Sequence, residues 1–468
     1  MTDSSLSDYA GFVQRKLSTV PPTGLASLPD LTRYHLFPHQ VDLVGWALKR
    51  GRAAIFADTG LGKSRMQVAW ADCVRASAGG YVLILAPLAV AQQTVHEGAD
   101  IGVNVKQVRD GSEVIEPGIY VTNYDRLHRF DCSKFGAVVL DESSCIKHHD
   151  TKTLRTLLEA FRSTAFKLCA TATPAPNDWT ELGTHAEFLG ICTRAEMLAE
   201  FFTHDGGDTS VWRLKGHART IFWQWVVAWG ALIRRPSDLG HDDGAYSLPG
   251  LHLHEHTVEV DAPTNGMLFA MEAQTLSERR DARRASMIDR VDECAAICNS
   301  EPGEPWVVWC DLNAEGDALT AAIHGAVQIA GSDDVEVKEK RLQDFADGRI
   351  RVLVSKPSIC GFGLNWQHSA RMAFVGVTDS FEAYYQAVRR CWRFGQSRPV
   401  HVHIFASSNE GAVVANLKRK ERDALEMAES LSAETRDAVL TQIKGATRQT
   451  NEYNAARRVA VPSFLEAA

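Results

Sequence analysis

The sequence predicts an α/β chain of two tandem lobes, each built on a parallel sheet, with a helical insertion and a helical C-terminal tail. Three observations predict it. Short apolar runs (Ala53 to Phe56, Tyr81 to Ala86, Ala137 to Leu140, Leu168 to Ala170) alternate with stretches whose apolar residues recur at helical spacing. The same alternation resumes after residue 300, with Trp306 to Cys310, Val327 to Ile329, Arg351 to Ser355, Met372 to Val377 and Val400 to Phe405. Between the two series, Ser237 to Pro249 is rich in Gly, Asp and Pro and marks a boundary. Strands separated by helices join through right-handed crossovers, lie parallel, and gather their carboxyl ends on one edge, where ligands bind. The expected division is a lead-in over 1–30, a first lobe over 31–245, a linking strand and helix over 246–300, a second lobe over 301–408 and a tail over 409–468.

Residues up to about Pro29 are polar and mixed, and read as a loose lead-in. In Leu36-Phe37-Pro38-His39-Gln40 the glutamine stands just ahead of a helix carrying Val41, Leu43, Val44, Trp46 and Ala47. Its amide suits an adenine edge, and a solvated glutamine is the plain alternative. Next comes the stretch around which the chain is organised, Ala57-Asp58-Thr59-Gly60-Leu61-Gly62-Lys63-Ser64, between an apolar strand and a helix. Strand, glycine turn and helix are the context of a phosphate loop. Gly60 and Gly62 let backbone N–H groups turn inward, and the helix N-terminus behind them completes an anion site. Thr59, Gly60, Gly62, Lys63 and Ser64 are the expected nucleotide contacts, with Lys63 reaching the β- and γ-phosphates and Ser64 holding Mg²⁺. Ala57 stands where the full loop pattern has its first glycine.

Further along, Gly118 to Asp125 reads as a strand ending in polar residues, and Ala137 to Leu140 as one ending at Asp141-Glu142-Ser143-Ser144. Beside a phosphate loop, Asp141 can hold Mg²⁺ and Glu142 can polarise the water that attacks the γ-phosphate. An acidic turn at a strand end is the alternative. The run Leu168 to Pro174 ends in two threonines able to sense the phosphate end. From Asp178 to about Pro236 the pattern is helical and aromatic; the row Phe222, Trp223, Trp225, Trp229 can stack bases but fits a core better. Leu251 to Val260 alternates as a strand with His252, His254 and His256 on one face, read as an exposed face and not as a metal site. Arg279, Arg280, Arg283 and Arg284 fall within two turns of the next helical stretch. A solvated helix and a phosphate-tracking surface are equal readings of that patch.

In the second half, Gly361-Phe362-Gly363-Leu364-Asn365 forms a glycine turn at the end of a strand. In Tyr385-Gln386-Ala387-Val388-Arg389-Arg390-Cys391-Trp392-Arg393-Phe394-Gly395-Gln396 the spacing of Arg390 and Arg393 predicts one shared helix face. Two such arginines can neutralise charge on a transferring γ-phosphoryl group, and from a different lobe they do so only on closure.

Composition narrows the classes. The 468 residues are 45% hydrophobic and 23% charged, ordinary for a globular chain. A formal net charge of −8 argues against a generally basic nucleic-acid coat but not against a local basic groove. No apolar run of about 18 residues reads as membrane-spanning, and Met1-Thr2-Asp3-Ser4-Ser5 has neither the basic start nor the apolar core of a signal peptide. Ten scattered cysteines without a Cys-x-x-Cys pair point to free thiols and a cytoplasmic setting.

These segments together resemble the motor of a superfamily-two helicase, more narrowly a Swi/Snf-like ATPase. Phe37-Pro38-His39-Gln40 is similar to the adenine-reading motif, Asp58 to Ser64 to the phosphate loop, Val121 to Asp125 to a nucleic-acid contact, and Asp141-Glu142 with Ile146-Lys147 to the acidic motif. Gly361 to Asn365 and Gln386 to Gln396 resemble the last two motifs. The departures are Ser143-Ser144 after the acidic pair, Ala172 for glycine in the threonine motif, Arg389 for aspartate and Trp392 for histidine. The resemblance covers about Leu36 to Ala406 and implies two RecA-like lobes with ATP and Mg²⁺ in the cleft. It adds Gly363 and Gln386 as nucleotide contacts, beside Gln40, and Lys63, Asp141, Glu142, Arg390 and Arg393 as the hydrolytic set. It implies a monomer acting on DNA, duplex before single-stranded, with a protein partner in trans as an option and no membrane. The compact form is that of bacterial viruses and prophages, which places the chain in bacterial cytoplasm. The expected activity is translocation on duplex DNA. A strand-separating DNA or RNA helicase, and a slow nucleotide-gated loading module working with a partner, are the alternatives.

Overall fold

The computed structural model describes residues 21–87, 90–175, 178–205, 208–258, 284, 286–360, 365–376 and 381–408, and from the tail 419, 422, 439–440 and 443. The first lobe opens with α1 (Pro38–Arg50) and β1 (Arg52–Ala57), followed by α2 (Lys63–Ala78), β2 (Tyr81–Ala86), α3 (Ala91–Asp100), β3 (Val105–Gln107), β4 (Ile119–Asn123) and β5 (Phe135–Asp141). It continues with α4 (Lys152–Ala160), β6 (Phe166–Ala170), α5 (Leu182–Leu189), α6 (Arg194–Phe201), β7 (Phe202–Asp205), β8 (Asp208–Leu214), α7 (Arg219–Val227) and β9 (Gly230–Ile233). Seven strands form one sheet in the order β3-β4-β2-β5-β6-β1-β9, and every pairing in it is parallel. Alternation along each strand feeds two cores. Ala53, Ile55 and Ala57 pack with Trp70 and Val139 on one face, while Ala54 and Phe56 pack with Leu83, Leu140 and Trp229 on the other.

The second lobe contains β10 (Leu251–Val258), α8 (Met287–Ser300), β11 (Trp306–Cys310), α9 (Asn313–Ala322), β12 (Ala326–Ile329) and α10 (Val335–Ala346). After these come β13 (Val352–Ser355), α11 (Pro357–Cys360), β14 (Arg371–Val375), α12 (Phe381–Val388) and β15 (Val400–Ser407). Its six strands run β10-β15-β14-β11-β13-β12, again all parallel. Trp309 and Trp366 centre one core, and Trp306 with Cys294 and Cys298 the other. A fully buried ion pair, Arg290 Nη2 to Glu315 Oε1 at 2.9 Å, ties α8 to α9. The Glu315 carboxylate also accepts the backbone N–H groups of Asp311 and Leu312 at 2.9 Å each, closing the start of α9.

Four expectations change. The stretch from Asp178 to Pro236 is not helical throughout: β7 and β8 form an antiparallel hairpin, and β9 extends the first sheet beside β1. Aromatic and β-branched residues there satisfy either period, and sheet edge and core decide. The aromatic row is core, as the sequence reading favoured, with Phe222, Trp223 and Trp229 all buried. The segment expected to link the lobes belongs to the second one, since β10 pairs with β15 over its whole length and α8 packs on that lobe's core. The lead-in is tied down at its end, where the N–H groups of Thr23, Gly24 and Leu25 bond the carbonyls of Arg50, Lys49 and Leu48. Far along the chain, Val439 is buried in the first lobe's core and Ile443 packs against it.

The histidines of β10 do not stand alone. His254 Nε2 meets His401 Nδ1 at 2.9 Å and His256 Nε2 meets His403 Nδ1 at 3.0 Å, so the rings of the two strands stack in a ladder. Among the described residues, no group of three or more His, Cys, Asp or Glu is arranged to hold a metal ion. All ten cysteines are free thiols.

Candidate active site

The parallel first sheet brings three strand ends to one edge. β6 lies between β5 and β1, so the turn after β6 sits between the phosphate loop after β1 and the acidic pair after β5. Gly60 and Gly62 hold φ of 94° and 78°, values that favour glycine, and shape the loop ahead of α2. Across it, Gln386, Arg390 and Arg393 of the second lobe line a cleft with Thr59, Gly60, Gly62, Lys63, Ser64, Asp141 and Glu142. Lys63 Nζ donates to the carbonyls of Ala57 and Asp58 at 2.8 and 3.2 Å, and burial lowers its pKa. The Oγ1 of Thr59 is buried without a hydrogen-bond partner, as expected of a polar wall awaiting a ligand.

Asp141 and Glu142 are held differently. Asp141 Oδ1 accepts from Gln67 Nε2 at 2.7 Å and from the N–H of Glu142 at 3.1 Å. Burial, with the Glu142 charge adding to it, pushes the Asp141 carboxyl up to about 6. Glu142 Oε1 accepts from the hydroxyls of Thr171 at 2.7 Å and Ser144 at 3.0 Å, and from Gln386 Nε2 of the second lobe at 3.4 Å. Thr171 thus occupies the spot its strand order dictates, and Ser144 turns a sequence departure into a contact.

Arg390 and Arg393 do not share a helix face, because α12 ends at Val388. Arg390 bends back instead: its Nε donates to the Gln386 carbonyl at 2.9 Å and its Nη2 to Gln386 Oε1 at 3.0 Å. A guanidinium on that carbonyl takes the place of the next helical N–H, and the chain tightens into turns up to Gly395 (φ 88°). Both arginines still reach the cleft. Burial pushes Arg390 down to about 10 and Arg393 to about 9.

Gln40 is buried with its amide turned onto the loop, Nε2 donating to the Leu61 carbonyl at 2.9 Å and Oε1 accepting the Phe37 N–H at 3.0 Å. Gly363 and the arginines 279, 280 and 283 lie outside the described residues, while Arg284 is exposed. Two groups of contacts escaped the sequence. Gln67 and Ser144 support the acidic pair with ordinary polar side chains that carry no spacing signal. Asp58 and Tyr385 are joined across the lobes, with Tyr385 Oη donating to Asp58 Oδ1 at 2.7 Å over a separation of 327 positions.

Both lobes are similar to known proteins. The DEAD/DEAH box helicase family matches residues 37–182, and the helicase conserved C-terminal domain matches 289–395. The p41 protein of Acyrthosiphon pisum secondary endosymbiont phage 1 is 22% identical over 186 residues, covering 38% of each chain, so little over a third of that relative's length is spanned. Among solved structures, S. cerevisiae Dbp5 bound to RNA and ADP BeF3 superposes with a TM-score of 0.54 at 11% identity, covering 91% of this chain and 99% of that one. The likeness to Dbp5 is one of fold.

Proposed function

For this chain, a superfamily-two helicase-type enzyme that hydrolyses ATP, we propose that the work performed is translocation along double-stranded DNA. The observation that supports a motor is the shared cleft. The loop residues Lys63 and Ser64 and the pair Asp141-Glu142 lie on one lobe, Arg390 and Arg393 on the other. Lys63 and the loop N–H groups bind the phosphates. Glu142 orients the attacking water, held in place by Thr171 and Ser144. Arg390 and Arg393 stabilise the charge of the transferring phosphoryl group when the lobes are together. The Ser64 hydroxyl and the Asp141 carboxylate line the cleft together and are oxygen donors of the kind a hard dication takes. Ser64 and Asp141 would hold Mg²⁺, which would supply positive charge against the phosphates. Gln386, which touches Glu142 from the second lobe, relates hydrolysis to lobe position.

Duplex DNA as the track, and the Swi/Snf-like subgroup, rest on the motif resemblances of Phe37 to Gln40, Asp58 to Ser64 and Gln386 to Gln396. The RNA in the Dbp5 structure favours strand separation on RNA as a second reading. ATP hydrolysis measured with duplex DNA, single-stranded DNA, RNA and no track, beside a Glu142→Gln control, decides between them. Stimulation by duplex DNA together with triplex-strand displacement is the expected result. Stimulation by RNA or single strands alone overturns it in favour of a helicase, and ATP binding without turnover on any track favours a loading module.

A further inference from the structure

We propose that Arg389 is a positioning residue for hydrolysis: through Asp58 it fixes the phosphate loop of the first lobe against the arginine pair of the second. The proposal rests on reading the cleft as the ATP-hydrolysing site. Arg389 Nη2 lies 2.5 Å from Asp58 Oδ2, with the two side chains only 5% and 16% exposed. The other carboxylate oxygen accepts from Tyr385 Oη at 2.7 Å and from the Thr59 N–H of its own loop at 2.6 Å. One carboxylate therefore joins the loop backbone to two side chains of the opposite lobe. Burial is the largest influence on both groups and opposes both charges, yet the contacts together outweigh it: Arg389, Tyr385 and the Thr59 N–H hold Asp58 below the usual carboxylate range, and Asp58 with Tyr385 holds Arg389 above the usual guanidinium range.

Arg389 is itself confined, its guanidinium 5.0 Å from the ring centre of Trp392 and 5.5 Å from that of Tyr385. A second contact grips the same loop. Gly60 presses on Phe394, and a Cβ at Gly60 would stand 3.0 Å from the Phe394 nitrogen. Arg390 and Arg393 directly neighbour these two contacts in sequence. Neither Asp58 nor Arg389 lines the cleft, so they act through others. Lys63 Nζ bonds the Asp58 carbonyl at 3.2 Å, which makes the lysine follow the loop. Buried, oriented ion pairs carry position better than net stability, and the arginine here stands where the resembling family has an aspartate.

The test uses the full chain and four variants, Arg389→Asp, Asp58→Arg, the double swap and Arg389→Gln, with kcat, KM for ATP and melting temperature measured for each. A loop displaced by about an ångström costs on the order of 100-fold in rate. The expected result is a kcat reduced by about 10- to 100-fold in each single variant, with KM changed far less, and recovery of most of the loss in the double swap. Wild-type kcat in Arg389→Asp, a raised kcat that marks the pair as a brake, or a double swap no better than the product of the singles overturns the proposal. Should the swapped pair fail to fold, Arg389→Gln decides: unchanged kcat at unchanged melting temperature overturns it. Undiminished turnover in Glu142→Gln, by contrast, would remove the hydrolytic reading itself.

Discussion

Glu142 sits at φ 53° and ψ 54°, a left-handed conformation that a residue with a Cβ enters at a cost of about 1–2 kcal/mol. Three donors on its Oε1 hold it there: Thr171, Ser144 and Gln386. Strain of this kind clusters where a side chain must be aimed. Replacing Glu142 by Gln keeps the shape and removes the charge; hydrolysis is expected to fall by about 10²- to 10⁴-fold, with ATP binding retained in an equilibrium titration. Thr171→Val removes the shortest of the three bonds. A hydrogen bond to a charged group contributes about 1.5–3 kcal/mol to stability, so the melting midpoint should fall by a few degrees, and with the carboxylate no longer aimed kcat should drop by about tenfold or more. The aim of Glu142 was partly legible, since Asp141-Glu142 after an apolar strand and the threonines after another both stand out in the sequence. Ser144 was not, because a serine beside an acid looks like any turn. The Asp58–Arg389 pair was invisible for a different reason: 331 positions separate its members, and only the packing of two lobes brings them together.

At the level of elements, strands with clear apolar runs matched their expected places, and the failures came where period was ambiguous. β9 and the β7–β8 hairpin lie in aromatic sequence that suits helix or strand, and α12 ends at Val388, where the Arg390 guanidinium takes the Gln386 carbonyl. β10 was legible as a strand but not as a member of the second sheet, since nothing in its sequence names β15 as its neighbour. That pairing has an acid-sensitive consequence. Burial first, then the nearby charges of His254, His256, His401 and Arg371, lower His403 from 6.5 to about 3. Between those values the unfolded chain binds a proton that the folded one does not, so stability rises with pH through this window and is lost as pH falls through it. Melting followed from pH 7 to pH 4 should show a falling midpoint, with a shallower slope in His403→Gln. A second element-level tie is the fully buried Arg290–Glu315 pair. Glu315→Gln removes the carboxylate charge that faces a buried guanidinium and should destabilise the second lobe by about 3–5 kcal/mol, read from urea unfolding.

Over the whole molecule, the groups proposed for hydrolysis are divided between lobes, and neither half holds them all. Arg393→Ala should leave nucleotide affinity nearly intact yet lower kcat by about 10³-fold or more, as loss of an arginine that stabilises only the transition state does. A parallel measurement of affinity and turnover separates that outcome from a folding defect. The chain's path adds something further. Residues 251–408 supply the second sheet, and yet Val439, beyond them, is buried in the core of the first lobe. The second lobe is therefore bound to the first by two covalent crossings, one entering and one leaving. A body hung on a single thread can twist freely; one hung on two is a swing, free mainly about the line through its attachments. Any movement of one lobe against the other then has a preferred axis.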